Sequence, residues 1–153
     1  MEICVATHEH AAELASLFQE QASAMTDLQP LYFQQVPRDP AYVRATLDRE
    51  DTEILLAVED DEVLGFTQLR ETMTPDFASL VQYRYAHLLD LYVRKKARGQ
   101  YIGKALLDAA GEWAAHRELS FIELQVLPEN KEAMAVYLRE SYAPAMHTLR
   151  RML

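Results

Sequence analysis

The chain has little cysteine, little glycine and no long apolar run, and each shortage excludes a class of protein. Its 153 residues include a single cysteine, Cys4. One cysteine excludes a disulfide framework and any zinc site with more than one thiolate. No apolar run approaches the roughly 18 residues of a membrane-spanning helix, and the chain does not open on a basic-then-apolar signal pattern. Because half of the residues are hydrophobic, we expect one soluble, cytoplasmic domain over residues 1–153.

Basic residues are scarce in the first part of the chain and concentrated later. Residues 1–93 carry five Lys and Arg against 17 Asp and Glu, whereas residues 94–153 carry ten against seven. An acidic body disfavours general binding to nucleic acid or to an anionic membrane, so neither is an expected partner. The stretch 94–104 holds five cations, no acid and two of the four glycines. A basic loop within an acidic protein indicates a small polyanionic ligand.

Hydrophobic periodicity and turn residues predict a single domain of mixed secondary structure. Strands and helices are interspersed without strict alternation, which favours an α/β (α+β) mixed sheet over a doubly wound parallel fold. The predicted elements are strands at Ile3–Ala6, Glu53–Glu59, Val63–Arg70, Tyr85–Val93, Phe121–Val126 and His147–Met152, and helices starting after Thr7, at Pro40, at Ile102 and after Asn130.

The main chemical signal lies where a strand, the basic glycine loop and a helix follow one another. Unpaired N–H groups and the helix dipole make a helix N-terminus attractive to phosphate, and glycine lets the ligand approach the main chain. A P-loop would need four residues between its glycines and a hydroxyl residue after its lysine. Here only three residues separate Gly99 from Gly103, and Ala105 follows Lys104. The dinucleotide Gly-x-Gly pair is also missing. An ordinary strand-to-helix turn with solvated charges is the remaining alternative to a phosphate loop.

Two motifs in order along the chain carry a resemblance to a known family. Residues 98–103, Arg-Gly-Gln-Tyr-Ile-Gly, resemble the Arg/Gln-x-x-Gly-x-Gly/Ala motif of the GNAT N-acetyltransferases. The preceding residues 90–93 resemble the end of that family's fourth strand. Downstream, Asn130, Ala133 and Tyr137 are similar to the family's Asn-x-x-Ala-x-x-x-Tyr segment. The predicted order of elements fits the same family across nearly the whole chain.

The resemblance implies a fold and an activity. The expected GNAT-like fold has a central, mostly antiparallel sheet of six to seven strands, with splayed fourth and fifth strands and flanking helices. The expected activity moves an acetyl group from acetyl-CoA, without a metal, to a primary amine of a small cationic molecule or peptide in a ternary complex. A non-catalytic acyl-CoA-binding or regulatory protein on the same fold is the alternative. A homodimer is an expectation at family level only.

The resemblance also implies which residues would hold the co-substrate. Main-chain groups of Leu91 and Val93 would bind the pantetheine arm, and a free N–H there would polarise the acetyl carbonyl. Two departures from the family pattern are Tyr101, at a motif position that is normally glycine, and Ser141-Tyr142 in place of a Gly-Phe pair. The complete set of implied cofactor-binding residues is Leu91, Val93, Arg98, Gly99, Gln100, Tyr101, Ile102, Gly103, Lys104, Asn130 and Ala133.

Acetyl transfer to an amine needs a proton donor and a proton acceptor. By resemblance, Tyr137 protonates the departing thiolate; a core aromatic beside Ala133 is the structural alternative. By resemblance Asp90 is the favoured base, because family members with an acidic residue just before this Leu-Tyr-Val stretch use that region to meet the substrate amine; burial at a strand end can raise the pKa of such a carboxyl group enough for this role. His87 is the second candidate for its suitable intrinsic pKa, and Glu71 is a third with little support. Strand alternation places Asp90 and His87 on opposite faces unless a bulge intervenes.

The acceptor pocket is expected under the connection between the first two helices. Tyr32 and Phe33 in that connection, together with Asp90, would receive a cationic amine through cation–π and charge contacts. The alternative is that these aromatic rings belong to the core and that the acids serve solubility. The histidines show no spacing typical of metal ligands, so we expect no metal site.

Overall fold

A computed structural model of the chain describes all residues from 1 to 153. It contains five strands and four α-helices, joined in two places by short 3-10 turns at His8–His10 and Lys95–Ala97. The elements are β1 (Glu2–Val5), α1 (Ala11–Leu28), α2 (Pro40–Leu47), β2 (Thr52–Glu59), β3 (Glu62–Met73), β4 (Arg84–Val93), α3 (Ile102–His116), β5 (Ile122–Glu123) and α4 (Lys131–Arg139).

The five strands form one sheet in the order β1-β2-β3-β4-β5. The first four are antiparallel neighbours, and β5 adds to β4 in parallel. The turn between β2 and β3 uses Asp60 and Asp61, both with positive φ (50° and 61°), as a tight hairpin requires. The predicted mixed sheet and the β2–β3 hairpin are therefore confirmed.

The prediction of six to seven strands is wrong, because the sheet has five. The strand predicted at Phe121–Val126 pairs only over Ile122–Glu123. The strand predicted at His147–Met152 does not form, and residues 143–153 carry no regular secondary structure. Apolar and β-branched residues favour an extended chain, but a strand also needs a neighbouring strand with which to pair.

Two apolar layers cover the two faces of the sheet. Helices α1 and α2 pack on one face, where the Phe18 and Phe66 rings meet with centroids 4.7 Å apart. Helix α3 packs on the opposite face through fully buried side chains such as Leu106. Asp39 caps α2 by accepting a 2.8 Å hydrogen bond from the Tyr42 N–H, as the sequence predicts. No helix is at once long enough and apolar enough to cross a membrane.

Candidate active site

A β-bulge in β4 places the two candidate bases on one face of the sheet. His87 pairs with Arg70 of β3 and Asp90 pairs with Gln68, so β4 contains one residue more than β3 between these pairs. Residues directly opposite each other in a sheet share a face, and Arg70 and Gln68 are two apart. His87 and Asp90 therefore share a face, which regular alternation would not allow.

The same bulge decides which main-chain groups of β4 face β5. The Ala86 N–H donates to the Phe121 carbonyl at 2.9 Å, so the main chain of Ala86 faces β5 and that of His87 faces β3. Without the bulge, regular alternation along β4 would turn the main-chain groups of Asp90, like those of Ala86, toward β5. The extra residue reverses that alternation, so Leu91 and Val93 turn their main-chain groups toward β5.

No strand pairs with that edge beyond the bulge. The β4–β5 pairing ends at His87 and Glu123, whereas β4 continues to Val93. The two strands therefore separate, and the free edge of β4 faces the resulting gap. The Val93 carbonyl accepts a 3.1 Å hydrogen bond from the Arg98 Nε. An unpaired strand edge can bind an extended ligand in the way that it would bind a further strand.

The Asp90 carboxyl group lies at this gap in a position that favours its neutral form. Burial raises its pKa, while the Gln21 side-chain amide, which donates to Oδ1 at 2.8 Å, and the charges of Arg38 and His87 oppose that rise. Gln21 belongs to α1, and Arg38 lies just before α2. The Thr67 hydroxyl donates to the Asp90 carbonyl at 2.9 Å, which fixes the main chain at the bulge. A held carboxyl group with a raised pKa suits a general base.

Tyr137 of α4 approaches the gap from the α3 side of the sheet. The residue is buried and packs in the same apolar layer as Leu88. Burial raises the pKa of its phenol to about 12, with smaller contributions from Tyr142 and from the charge of Asp90. The effect of Asp90 means that the two groups lie within electrostatic range of each other. The hydroxyl has no hydrogen-bond partner in the protein, and it is not sealed from solvent.

The loop before α3 presents a run of unpaired N–H groups. The first main-chain hydrogen bond of the helix runs from the Ala105 N–H to the Tyr101 carbonyl. The N–H groups of residues 99–104 have no acceptor in the protein. Gly99 and Tyr101 both have positive φ, 78° and 61°, and this conformation turns the chain into the helix. A helix N-terminus of this kind is suited to a phosphate group.

The two cations of this loop point in different directions. The Arg98 guanidinium is held at the end of β4 by its bond to the Val93 carbonyl, 5.8 Å from the centre of the Tyr92 ring, and its Nη1 lies 3.7 Å from Glu132. The Lys104 ammonium instead pairs with Asp108 at 2.8 Å and with Glu140, the residue directly after α4, at 3.3 Å. For Lys104, only its main-chain N–H is left free to meet a ligand.

Asn130 and Ala133 form the N-terminal cap of α4. The Asn130 side-chain oxygen accepts a 3.2 Å hydrogen bond from the Ala133 N–H, as a helix cap does. The NH₂ group of Asn130 has no partner in the protein. The N–H of Ala133 is therefore occupied, and the two residues retain one amide donor and one methyl group for a ligand.

The aromatic residues predicted for the acceptor pocket are partly exposed. Tyr32 and Phe33 are 40% and 38% exposed, and the Arg150 guanidinium lies 4.0 Å from the centre of the Tyr32 ring. The α1–α2 connection meets the start of α4 through a 2.9 Å hydrogen bond from Gln29 to Glu129. From that connection, Arg38 is the residue whose charge reaches Asp90.

Sequence reasoning missed the two nearest partners of Asp90. Gln21 is one of several polar residues of the amphipathic helix α1, and Arg38 precedes the Asp39 cap of α2. Neither position carries a local motif. A polar residue on the buried side of α1 was the only signal available for Gln21. The structure contains no group of three His, Cys, Asp or Glu side chains placed to hold a metal ion.

The family assignment now rests on more than the two motifs. The chain matches the model of the acetyltransferase (GNAT) family over residues 14–141, and it therefore belongs to that family. A curated relative, the uncharacterized N-acetyltransferase YhfO of Bacillus subtilis (strain 168), is 34% identical over 102 residues. That match covers 67% of this chain and 66% of YhfO, slightly less than two thirds of the relative's length.

Solved structures show the same fold over the whole chain. A tetramutant of the BH1408 protein from Bacillus halodurans superimposes with a TM-score of 0.92, covering 100% of both chains at 23% identity. A ribosomal-protein-alanine N-acetyltransferase from Brucella melitensis biovar Abortus 2308 superimposes with a TM-score of 0.75, covering 99% of this chain and 98% of the other, also at 23% identity. At this identity the likeness concerns the fold.

The residues at the gap fit acetyl-CoA, the usual co-substrate of this family. The free edge of β4 offers main-chain groups to an extended arm. The unpaired N–H groups of residues 99–104 and the Arg98 guanidinium offer donors to a pyrophosphate. The bond from the Arg98 Nε to the Val93 carbonyl places these two sets of donors and acceptors next to each other.

Proposed function

We propose that this protein is an acetyl-CoA-dependent N-acetyltransferase that acts on a primary amine of a small molecule or peptide. Acetyl-CoA supplies the activated acetyl group as a thioester. The observation that carries the proposal is the gap beyond the β4 bulge, where a free strand edge, a carboxyl group and a phenol meet. Transfer is direct, within a ternary complex, because no cysteine lies at the gap to carry the acetyl group.

In this proposal, main-chain groups hold and polarise the donor. Leu91 and Val93 bind the extended arm along the free edge of β4, and a free N–H there stabilises the negative charge that develops on the carbonyl oxygen. The N–H groups of residues 99–104 and Arg98 bind the pyrophosphate. Binding at these two places aligns the thioester with the acceptor amine.

Asp90 is the proposed base. An amine must be neutral to attack a carbonyl, so its ammonium form has to lose a proton. Burial raises the pKa of the Asp90 carboxyl, which makes the carboxylate a better proton acceptor than an exposed aspartate. The carboxylate also attracts the ammonium group, and so contributes to acceptor binding. His87 lies on the same face of the sheet and stays the second candidate.

Tyr137 is the proposed acid. Its pKa of about 12 keeps the phenol protonated at neutral pH, so the O–H is available to the departing thiolate. The hydroxyl has no competing hydrogen-bond partner within the protein. Burial of the ring among apolar side chains restricts its movement.

The experiment that tests this function measures free thiol released from acetyl-CoA with a panel of polyamines, aminoglycosides, amino acids and peptides. The proposal expects thiol release that depends on an amine, together with a mass increase of one acetyl group on that amine. Initial rates at several concentrations of both substrates should give intersecting lines, as a ternary complex requires. Binding of CoA without acetylation of any amine would instead favour the non-catalytic acyl-CoA-binding alternative.

A further inference from the structure

Arg38 is the one partly buried arginine that has no polar partner within the protein. The other arginines that are not exposed, Arg70, Arg94 and Arg117, each donate a hydrogen bond to a side chain or to a carbonyl group. The Arg38 guanidinium forms neither a hydrogen bond nor an ion pair. A charged group that is partly removed from water and left unpaired is unfavourable, and its five N–H donors are available to a ligand.

Stacking on a tyrosine ring holds this guanidinium in place. Its central carbon lies 4.3 Å from the centre of the Tyr42 ring, in the first turn of α2. A cation is attracted to the face of an aromatic ring, and a stacked guanidinium keeps the N–H donors at its edge free. The neighbouring acid, Asp39, accepts the Tyr42 N–H as the cap of α2 and forms no ion pair with Arg38. The guanidinium is therefore positioned with its donors unused.

The connection that carries Arg38 is tied to α1 close to Asp90. The Gln35 side chain, three residues before Arg38, donates a 2.8 Å hydrogen bond to the Ser23 hydroxyl. Ser23 lies two residues beyond Gln21, whose amide donates to the Asp90 carboxyl group. These two hydrogen bonds bring Arg38 to the same part of the molecule as Asp90. Its positive charge accordingly opposes the rise that burial causes in the pKa of that carboxyl group.

The two charges influence each other without a direct contact. Arg38 acts on Asp90 through its charge alone, and the hydrogen bond to the carboxyl group comes from Gln21. Charges in salt solution influence each other over distances up to about 10 Å. The carboxyl group and the guanidinium are thus farther apart than an ion pair and close enough to interact. A small molecule with an ammonium group and a carboxylate a few bonds apart has the size that fits between them.

CoA does not supply the anion that Arg38 lacks. Arg38 belongs to the layer of α1 and α2, whereas α3 packs on the opposite face of the sheet. The proposed pyrophosphate site, at the loop before α3, has its own donors in the N–H groups of residues 99–104 and in Arg98. The acceptor, whose amine approaches Asp90, is the ligand that reaches Arg38.

We propose that the acceptor is an amino acid, whose carboxylate binds the Arg38 guanidinium while its amino group faces Asp90. This rests on the proposed acetyltransferase function and names the substrate class of that site. A guanidinium and a carboxylate can form two parallel hydrogen bonds, which fix orientation as well as position. Amines without an anionic group, such as polyamines, leave the guanidinium unpaired and are repelled by its charge.

The reaction at this site yields an N-acetyl amino acid and CoA. The amine nitrogen forms a bond to the acetyl carbon and the C–S bond of the thioester breaks. Asp90 takes one proton from the nitrogen, and Tyr137 gives one to the departing sulfur. Arg38 takes no part in these proton transfers. Its contribution is to bind the acceptor and to hold the amine at the carboxyl group.

The test compares the standard amino acids with their α-amides, which keep the amine and the side chain but lack the negative charge. The wild type is expected to acetylate at least one amino acid with a higher kcat/KM than its amide. Arg38→Gln is expected to raise the KM of that amino acid roughly 10- to 100-fold, the size of a lost hydrogen bond between charged groups. The KM values of the amide and of acetyl-CoA should not change. Arg44→Gln, at an exposed arginine of α2 without a partner, is the matched control and should change none of them.

Binding is measured separately from turnover, by calorimetric titration of the CoA-loaded protein with the same amino acids. The dissociation constant should rise by the same factor in Arg38→Gln. Arg38→Lys should recover part of the affinity, since lysine keeps the charge but not the planar group with two parallel donors. Amino acid binding that depends on Arg38, without acetylation of any amine, would support this substrate class and refute the proposed activity.

Three results would overturn the proposal. One is the acetylation of amides and amino acids with the same selectivity in the wild type and in Arg38→Gln, which would leave the proposed acetyltransferase function intact. Another is a CoA-loaded protein that binds no amino acid. The third is a preference for aminomethylphosphonate over glycine in the wild type, which would show that Arg38 selects a phosphonate or phosphate group instead of a carboxylate.

Discussion

Replacing Tyr101 by glycine is expected to stabilise the protein, because this residue holds a left-handed backbone conformation. Its φ and ψ are 61° and 17°. For a residue with a Cβ this conformation costs roughly 1–2 kcal/mol, and glycine avoids the cost. The Tyr101 ring is 79% exposed, so its removal takes little burial energy away.

The net gain is smaller than the relieved strain, because glycine adds freedom to the unfolded chain. That entropy amounts to about 0.5–1 kcal/mol, which leaves a net stabilisation of about 0.5–1 kcal/mol. For a chain of this size, such a gain raises Tm by roughly 1–4 °C. The Tyr101→Gly variant also removes the Cβ beside the unpaired N–H groups, so a lower KM for acetyl-CoA is expected.

The matched control is Tyr101→Ala, which removes the ring but keeps the Cβ. Urea and thermal unfolding of the three proteins give the comparison. Alanine keeps the strain, so its variant should be no more stable than the wild type, whereas the glycine variant should exceed both. If the glycine and alanine variants are equally stable, the left-handed conformation at this position is not what costs stability, and the reasoning is refuted.

Three further predictions concern the reaction. Asp90→Asn should lower kcat by roughly 10²–10⁴-fold. The wild-type activity should rise with pH as the Asp90 carboxyl group loses its proton, at a higher pH than for an exposed aspartate because burial raises its pKa, and the variant should lack this rise. An unchanged pH profile in the variant would exclude Asp90 as base. Tyr137→Phe should lower kcat by a similar factor with little change in KM. Because the pKa of this phenol is about 12, its deprotonation should cause no loss of wild-type activity below about pH 10. Equal turnover of the variant and the wild type would exclude Tyr137 as acid. Arg98→Ala should raise the acetyl-CoA KM more than it lowers kcat, while Lys95→Ala, at an exposed cation without a carboxylate partner, should change neither.

Sequence reasoning found the elements whose signals are local. The cap at Asp39 and the basic loop before α3 each depend on residues within a few positions of each other, and both occur where they were predicted. The family motifs also led to Asp90 and Tyr137, which electrostatics indicates lie near each other. Their roles are proposals that the variants above address.

Features that depend on distant pairing were not predictable. The bulge in β4 is visible only in its register against β3, and it alone puts His87 and Asp90 on the same face. Extended patterns at residues 121–126 and 147–152 predicted two full strands, but β5 leaves β4 after two residue pairs and the last segment finds no strand in its own chain. The Lys104 ammonium has acidic partners on α3 and directly after α4 that a motif does not reveal.

A crystal structure of the protein with CoA tests the central claim most directly, because it shows both where the ligand binds and which side chains its thiol meets. The account predicts the pyrophosphate in contact with the N–H groups of residues 99–104, the pantetheine arm hydrogen-bonded to Leu91 and Val93 in the gap beyond the β4 bulge, and the thiol within hydrogen-bond reach of the Tyr137 hydroxyl. CoA bound outside the gap, or a thiol that points away from both Tyr137 and Asp90, would contradict it.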